Sequence, residues 1–498
     1  MTPLFRRSCH RSLVAGGFTR QNFRCRLSNP HPLSRTGQTA GNRSMPTDHF
    51  DYPAAIEYLY GQINYERTAE SKPYAFRLRR MLDLLEMLAL RGVAGEDLPV
   101  VHIAGTKGKG STATMVAAML TASGIRTGLY TSPHLVDLEE RFVVDGQCAP
   151  KPEVASLVAA VREAAQCLAS SDAGPPTFFE LTTAVALLHF KRRDCQAVVL
   201  EVGLGGRLDS TNVCVPAVTA ITSIGLDHQH ILGNTLGEIA FQKAGIIKPT
   251  VPVVSGLSSG EAAEVIDRVA HDRGAPLVKV GTDFDYRAQP IAGAWGARFD
   301  LISKNASIRD RREWTLPLDG THQGHNAAIA CTIMDLLQQS GTATSLDAQA
   351  NGMAGVKCVG RIERFAMPDG GEVILDTSHN IDSIHALCNC IDQRAGGRTI
   401  TILFGTSRDK DHVPMLKRLC ETADRLILTR YHGNPRYRET AELLAALPPG
   451  QTAMIQECPE TALAVARQDG QPSKDHLIVV CGSFFLAAEV RPLLAALG

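Results

Sequence analysis

The segment Gly105-Thr106-Lys107-Gly108-Lys109-Gly110-Ser111 concentrates the chemistry of this sequence. Glycines let backbone N–H groups turn inward around an anion, and a helix that begins there adds the positive end of its dipole. Lys109 would neutralise terminal phosphate charge, and Ser111 would offer a hydroxyl to Mg2+. A glycine stands between that lysine and that serine, a departure from the usual phosphate-binding loop. The competing reading is a flexible glycine turn. The apolar run Val100–Ala104 before it and the helical pattern Ser111–Thr121 after it favour phosphate.

Other polar clusters follow strand-like runs. In open α/β sheets ligands gather at the carboxyl ends of strands. Thr131-Ser132-Pro133-His134-Leu135 sits at such an end, although Ser132 and His134 are equally ordinary turn residues. In Pro175-Pro176-Thr177-Phe178-Phe179-Glu180, Glu180 either ligates Mg2+ or favours a helix N-terminus. Glu201 opens Glu201-Val202-Gly203-Leu204-Gly205-Gly206-Arg207-Leu208-Asp209. An acid closing such a strand handles Mg2+ or its water, and the competing reading is a tight turn with a solvated Arg207–Asp209 pair. Gly225-Leu226-Asp227-His228-Gln229-His230 offers His228 as a ligand, though histidine suits zinc better than Mg2+. Lys243 falls late in a helix, where a cation complements the dipole. Gly360-Arg361-Ile362-Glu363 and Asp376-Thr377-Ser378-His379-Asn380 repeat the pattern further on.

The elements that must hold these groups alternate. Strands are expected at Val100–Ala104, Arg126–Thr131, Ala197–Val202 and Val218–Ile221, with helices at Ser111–Thr121, Val154–Leu168, Phe178–Phe190 and Leu236–Ala244. This rhythm implies a mostly parallel sheet covered by helices. Residues 284–318, with scattered aromatics, suggest a small antiparallel section. Alternation restarts with strands at Val373–Leu375, Thr401–Phe404, Leu426–Leu428 and Leu477–Cys481, a second α/β unit. The Gly352/Gly355/Gly360 stretch is the expected linker.

Composition bounds the class. The 498 residues hold 51 Lys+Arg and 51 Asp+Glu, yet residues 1–44 carry eight arginines and no lysine or acid. Removing those eight leaves 43 basic against 51 acidic residues, a net charge of −8. A net-acidic body argues against a nucleic-acid coat, and no apolar run approaches the roughly 20 residues of a membrane span. The first 44 residues read as a transit peptide or as an extension upstream of a true start at Met45. The 13 cysteines include no CxxC pair, so they read as reduced thiols rather than a zinc ribbon. No Gly-x-Ser-x-Gly elbow or HExxH helix is present.

Taken together, the ordered set GTKGKGS, SPHL, FFELTT, EVGLGGRLDSTN, GLDHQHILGNTLGEIAFQKAGIIK, GRIERF, DTSHN and CGSFFLAAEV resembles the folylpolyglutamate synthase/dihydrofolate synthase family, bacterial type, within the Mur ligase superfamily. The likeness runs from about residue 52 to the C-terminus. It implies an α/β fold: a P-loop-containing, Mur-ligase-like ATP-binding domain over residues 45–356, then a Rossmann-like glutamate-binding domain over 357–498. It implies ATP held by Gly105, Thr106, Gly108, Lys109, Gly110 and Ser111, with Asn326, Arg361 and Asp376 completing the nucleotide site. Ser111, Ser132, Glu180 and His228 match Mg2+ ligands. Lys243 matches a lysine that the family carbamylates to support a second metal. His379 and Ser483 match residues at the incoming amino acid, and Lys109, Lys243 and His379 are the implied catalytic groups. Two departures stand out. The family usually reads Asp-Gly-Ala-His-Asn where this chain has Thr377 and Ser378, and a proline commonly precedes the Gly-Arg pair where this chain has Val359.

The implied reaction is ATP-dependent ligation of L-glutamate to a folate carboxylate, and to dihydropteroate as well, through an acyl phosphate. Anionic reactants need concentrated positive charge, so catalysis would rest on positioning and electrostatics. A carbamate suits Mg2+, whereas a free ammonium would repel it. Two alternatives remain: a cell-wall Mur ligase, and a nucleotide-binding switch that ligates nothing. The first commonly carries a separate UDP-binding domain, for which the residues between Met45 and the first strand are too few. A cytoplasmic monomer without nucleic-acid or membrane partners is expected, or a mitochondrial one if residues 1–44 are an address.

Overall fold

The structure, a computed structural model, describes residues 50–63, 78–170, 172–368, 370–468 and 475–497. The arginine-rich extension and Met45 lie outside the described residues. Eight strands form the first sheet: β1 (Val100–Ala104), β2 (Thr127–Tyr130), β3 (Val143–Val144), β4 (Gln147–Cys148), β5 (Ala197–Glu201), β6 (Val218–Ile221), β7 (Val253–Ser255) and β8 (Leu277–Lys279). Their order is β4-β3-β2-β5-β1-β6-β7-β8, with β1 central and paired in parallel with β5 and β6. Successive residues of a strand face opposite ways. Val101 and Ile103 therefore enter the core beneath the helices Lys109–Ala122 and Thr321–Gln339, while Val100 joins the core on the other face. Burial on both faces explains why β5 and β6 read as largely apolar runs, broken only by Thr219 in β6 and closed by Glu201 in β5.

A second sheet holds β9 (Phe284–Pro290), β10 (Ala297–Ser303) and β11 (Arg311–Leu316), all antiparallel. The third holds β12 (Glu363–Ala366), β13 (Glu372–Leu375), β14 (Thr399–Phe404), β15 (Arg425–Leu428), β16 (Met454–Ile455) and β17 (His476–Cys481) in the order β12-β13-β17-β14-β15-β16. Only β12 runs antiparallel to its neighbour there. These strands and their helices give the α/β, Mur-ligase-like architecture that the motifs imply.

Several contacts among the described residues tie the third sheet to the rest. Trp295, in the turn between β9 and β10, donates its indole N–H to Glu372 at 2.9 Å and packs on the third sheet's core. Arg394 donates to the carbonyls of Ile291 (2.6 Å) and Ala294 (2.8 Å) and pairs with Asp319 at 2.9 Å. Leu135 inserts into the core around Val373, Leu375 and Val480.

The strand β6 and the helix Leu236–Ala244 fall where the pattern places them. Gly352 does not lie in a linker. It sits inside the helix Leu346–Ala354, where a Cβ would come within 2.6 Å of the Ala118 carbonyl. The glycine lets that helix lie directly on the P-loop helix. The hairpin β3–β4 also departs from the parallel expectation. The helix Thr321–Gln339 has no apolar stripe to announce it, because Asn326 through Leu337 are all buried.

Candidate active site

The strand β1 delivers the chain to Gly105, which the end of β6 then holds in place. Thr106 N–H donates to the Ser223 carbonyl at 2.8 Å, and Lys107 N–H to the Ser223 hydroxyl at 2.9 Å. The Thr222 hydroxyl donates back to the Lys107 carbonyl at 2.7 Å. Gly105 has φ +155, and a Cβ there would lie 2.0 Å from the Thr222 hydroxyl oxygen. Gly108 caps the helix with φ +86, and a Cβ there would lie 2.2 Å from Asn326 Oδ1. Only glycine fits both places, one for space and one for backbone conformation as well. Ser111 lies in the first turn of the following helix and is buried. Asn326 thus packs directly on the loop from the far helix, its amide donating to Gln323 at 3.1 Å.

Two lysines converge on one carbonyl. Lys109 Nζ folds back to donate to Gly105 O at 3.1 Å, and Lys243 Nζ reaches the same oxygen at 2.8 Å. Lys243 is only 5% exposed. Burial, then the nearby Lys109 charge, brings its pKa down to about 7. The loop after Glu201 braces the end of the lysine's helix: Arg207 N–H donates to Gln242 O at 2.8 Å, and a Cβ on Gly206 would lie 2.9 Å from Lys243 O.

The acid at the mouth of the loop is Glu201. Its carboxylate lies over Gly110, 3.4 Å from where a Cβ would stand, and accepts from Ser132 N–H at 3.0 Å. Burial raises its pKa, opposed first by Lys109, then by the Ser132 amide and by Arg361 and Arg141. Glu180 is placed differently. Its carboxylate accepts from Arg80 Nε at 2.9 and 3.0 Å and from the Thr177 amide and hydroxyl, both at 2.8 Å, in a capping box. In this structure the Glu180 oxygens are thus engaged by Arg80 and Thr177, whereas the Glu201 carboxylate faces the P-loop. A buried guanidinium and a helix N-terminus already claim the Glu180 oxygens. The acid that closes a strand facing the P-loop is the signal that picks out Glu201. His228 adopts a left-handed backbone (φ 49) and is half exposed; burial lowers its pKa, with Asp227 opposing and Lys109 and Lys243 reinforcing.

The third sheet supplies a second polar group. Asp376, at the end of β13, accepts from Ile362 N–H at 2.8 Å and from Ser378 N–H at 2.9 Å. Arg361 Nη1 donates to the Thr377 hydroxyl at 2.6 Å. His379 Nδ1 donates to the Thr377 carbonyl at 2.8 Å, which leaves Nε2 as an acceptor when the ring is neutral. Burial lowers its pKa, opposed first by the bond to the Thr377 carbonyl and last by Asp227. Lys107 of the P-loop pairs with Asp382 at 3.2 Å, so the two polar groups face one cleft. Ser483 stands apart from the P-loop contacts: its hydroxyl caps the last helix by accepting from Phe485 N–H at 3.1 Å. Tyr431, whose ring lies 5.2 Å from that of Phe485, meets the Ser407 hydroxyl at 2.6 Å.

His134, which the sequence leaves open as a turn residue, accepts at Nδ1 from buried Arg141 at 2.7 Å and meets the Tyr60 hydroxyl at 3.1 Å. Thr222, Ser223 and Arg141 are residues that motif reading alone does not select. Among the described residues all eleven cysteines are free thiols, and no helix is long and apolar enough to cross a membrane.

Comparison with known proteins agrees with this geometry. The Mur ligase middle domain family matches residues 103–334, and the Mur ligase glutamate ligase domain family matches residues 360–484. A folylpolyglutamate synthase of Lacticaseibacillus casei is 33% identical over 447 residues, 89% of this chain and 99% of that protein. A dihydrofolate synthase/folylpolyglutamate synthase of Bacillus subtilis is 31% identical over 88% of this chain and 98% of its own length. The structure of Mycobacterium tuberculosis folylpolyglutamate synthase complexed with ADP superposes with a TM-score of 0.76 at 28% identity, covering 89% of this chain and 99% of that one. The chain belongs to the folylpolyglutamate synthase/dihydrofolate synthase family of Mur-type ligases.

Proposed function

We propose that this chain joins L-glutamate to the carboxylate of a folate, and also to dihydropteroate, with cleavage of ATP to ADP and phosphate. The observation that carries this reading is the convergence of Lys109 and Lys243 on Gly105 O, with the Glu201 carboxylate over Gly110. Cations and a metal-ready acid are there gathered where a helix N-terminus meets a glycine loop. The ADP complex of the Mycobacterium tuberculosis relative and the double name of the Bacillus subtilis one support the nucleotide and both acid substrates. The division of labour proposed is an ATP-binding domain to residue 356 and a glutamate-binding domain from 357, between the two matched ranges.

The donor set fits Mg2+. The Ser111 and Ser132 hydroxyls and the Glu180 and Glu201 carboxylates are hard oxygens, and His228 offers a nitrogen. Among the described residues no three His, Cys, Asp or Glu side chains cluster to hold a metal. When bound, Mg2+ would neutralise phosphate charge and polarise the group transferred. Lys243 fits a metal only after its amine adds to CO2 with loss of one proton, because its carbamate is then an oxygen ligand. A pKa near 7 keeps a useful fraction of that amine neutral and nucleophilic. Lys109 holds phosphate charge, and Asn326 sets the loop. Arg361 and Asp376 complete the nucleotide site across the cleft, and His379 and Ser483 orient the amino acid. Closing the third sheet over the loop excludes water from the activated acid.

Side-by-side turnover with dihydropteroate and tetrahydrofolate, each with glutamate and ATP, tests the reading. Ligation of both is expected. Turnover of neither, in a folded protein, would overturn it.

A further inference from the structure

Where the family usually has Gly-Ala after the aspartate, this chain has Thr377 and Ser378, and both are buried. Thr377 does not sit in the left-handed region, so the backbone there does not demand glycine. Its side chain is instead built into its surroundings. The hydroxyl accepts from Arg361 Nη1 at 2.6 Å and donates to Gly360 O at 3.1 Å. The Thr377 amide donates to the same Gly360 carbonyl at 3.0 Å. The methyl occupies the space beside Gly360, where a Cβ would come within 2.7 Å of it. The Thr377 carbonyl, through the main chain, accepts from His379 Nδ1 at 2.8 Å.

We infer that Thr377 is a positioning residue. Its hydroxyl fixes the guanidinium of Arg361 at the nucleotide side of the cleft, while its carbonyl fixes the tautomer of His379 at the amino-acid side. Arg361 is exposed, so without an anchor its long side chain would sample many rotamers, and ATP would have to order it on binding. A hydrogen bond from a charged donor to a buried hydroxyl removes part of that cost beforehand. The two connections are chemically separable. A substitution that removes the hydroxyl and keeps the backbone loses the bonds to Arg361 and to Gly360 O, and leaves the carbonyl that holds His379. The inference rests on the ligase reading and on Arg361 facing ATP.

The test compares Thr377→Val, which keeps the shape and loses the hydroxyl, with Thr377→Ser, which keeps the hydroxyl and loses the methyl. KM for ATP and KM for glutamate are measured separately in the full-length enzyme, with thermal unfolding alongside. Thr377→Val is expected to raise KM for ATP about fivefold or more and to leave KM for glutamate within about twofold. Thr377→Ser is expected to restore most of the difference. In an Arg361→Met background, Thr377→Val is expected to add nothing. An unchanged KM for ATP in Thr377→Val, an equal rise in both constants, or additivity with Arg361→Met would overturn the inference. Wild-type ligation in the same assay separates that failure from failure of the ligase reading.

Discussion

Lys243 and Lys109 donate to the same backbone oxygen, Gly105 O, at 2.8 and 3.1 Å, although 134 positions separate the two lysines in sequence. Burial, and then repulsion from the Lys109 ammonium, brings the pKa of the more buried partner, Lys243, down to about 7. A lysine that is partly neutral near physiological pH is a nucleophile, and such an amine is the chemical basis for a carbamate.

Lys243→Ala is expected to lose ligase activity by about a hundredfold or more and to regain part of it with a short carboxylic acid such as acetate. Labelled bicarbonate is expected to give a carbamate 13C signal in the wild type that is missing from the variant. Wild-type activity in Lys243→Ala would remove the carbamate from the mechanism.

The same shift predicts a pH dependence of stability in CO2-free buffer. The unfolded chain keeps a lysine proton to about pH 10.4, while the folded one releases it near 7. The unfolded state therefore binds more protons between those values, and the folded state gains stability as pH rises through that window. Urea unfolding at pH 7 and pH 9 is expected to show a larger gain for the wild type than for Lys243→Met. Parallel curves would contradict the depressed pKa.

Glu201 and Glu180 are expected to fail in different ways. Glu201→Gln should fold normally and lose Mg2+-dependent turnover. Glu180→Ala should remove the buried ion pair with Arg80 and the capping box, at about 3 kcal/mol or more of stability. Chemical denaturation paired with turnover distinguishes them. A stable, inactive Glu180→Ala would give the metal role to Glu180 instead.

Much of this was legible in the sequence. Residues of β1, β5 and β6 are buried on both faces and read as apolar runs, and the glycine loop between a strand and a helix has few other uses. What escaped the pattern has physical causes. The helix Thr321–Gln339 is buried nearly all round, so no polar face marks its period. Gly352 looks like a hinge because glycine punctuates loops, yet here it permits two helices to touch. Glu180 carries an acid in a plausible motif, and only the position of Arg80, 100 residues earlier, reveals that its oxygens are taken.

Gly352→Val is expected to push the helix Leu346–Ala354 off the P-loop helix and destabilise the fold by about 1–3 kcal/mol. A melting temperature equal to wild type would show that the contact has slack.

ADP release measured with ATP and Mg2+ bears most directly on ligation. The arms are folate plus glutamate, each alone, and neither. Release that requires both acid and amino acid is expected, and Lys109→Ala should abolish it while the protein remains folded. Release with neither substrate would make this chain a plain ATPase and contradict a ligase.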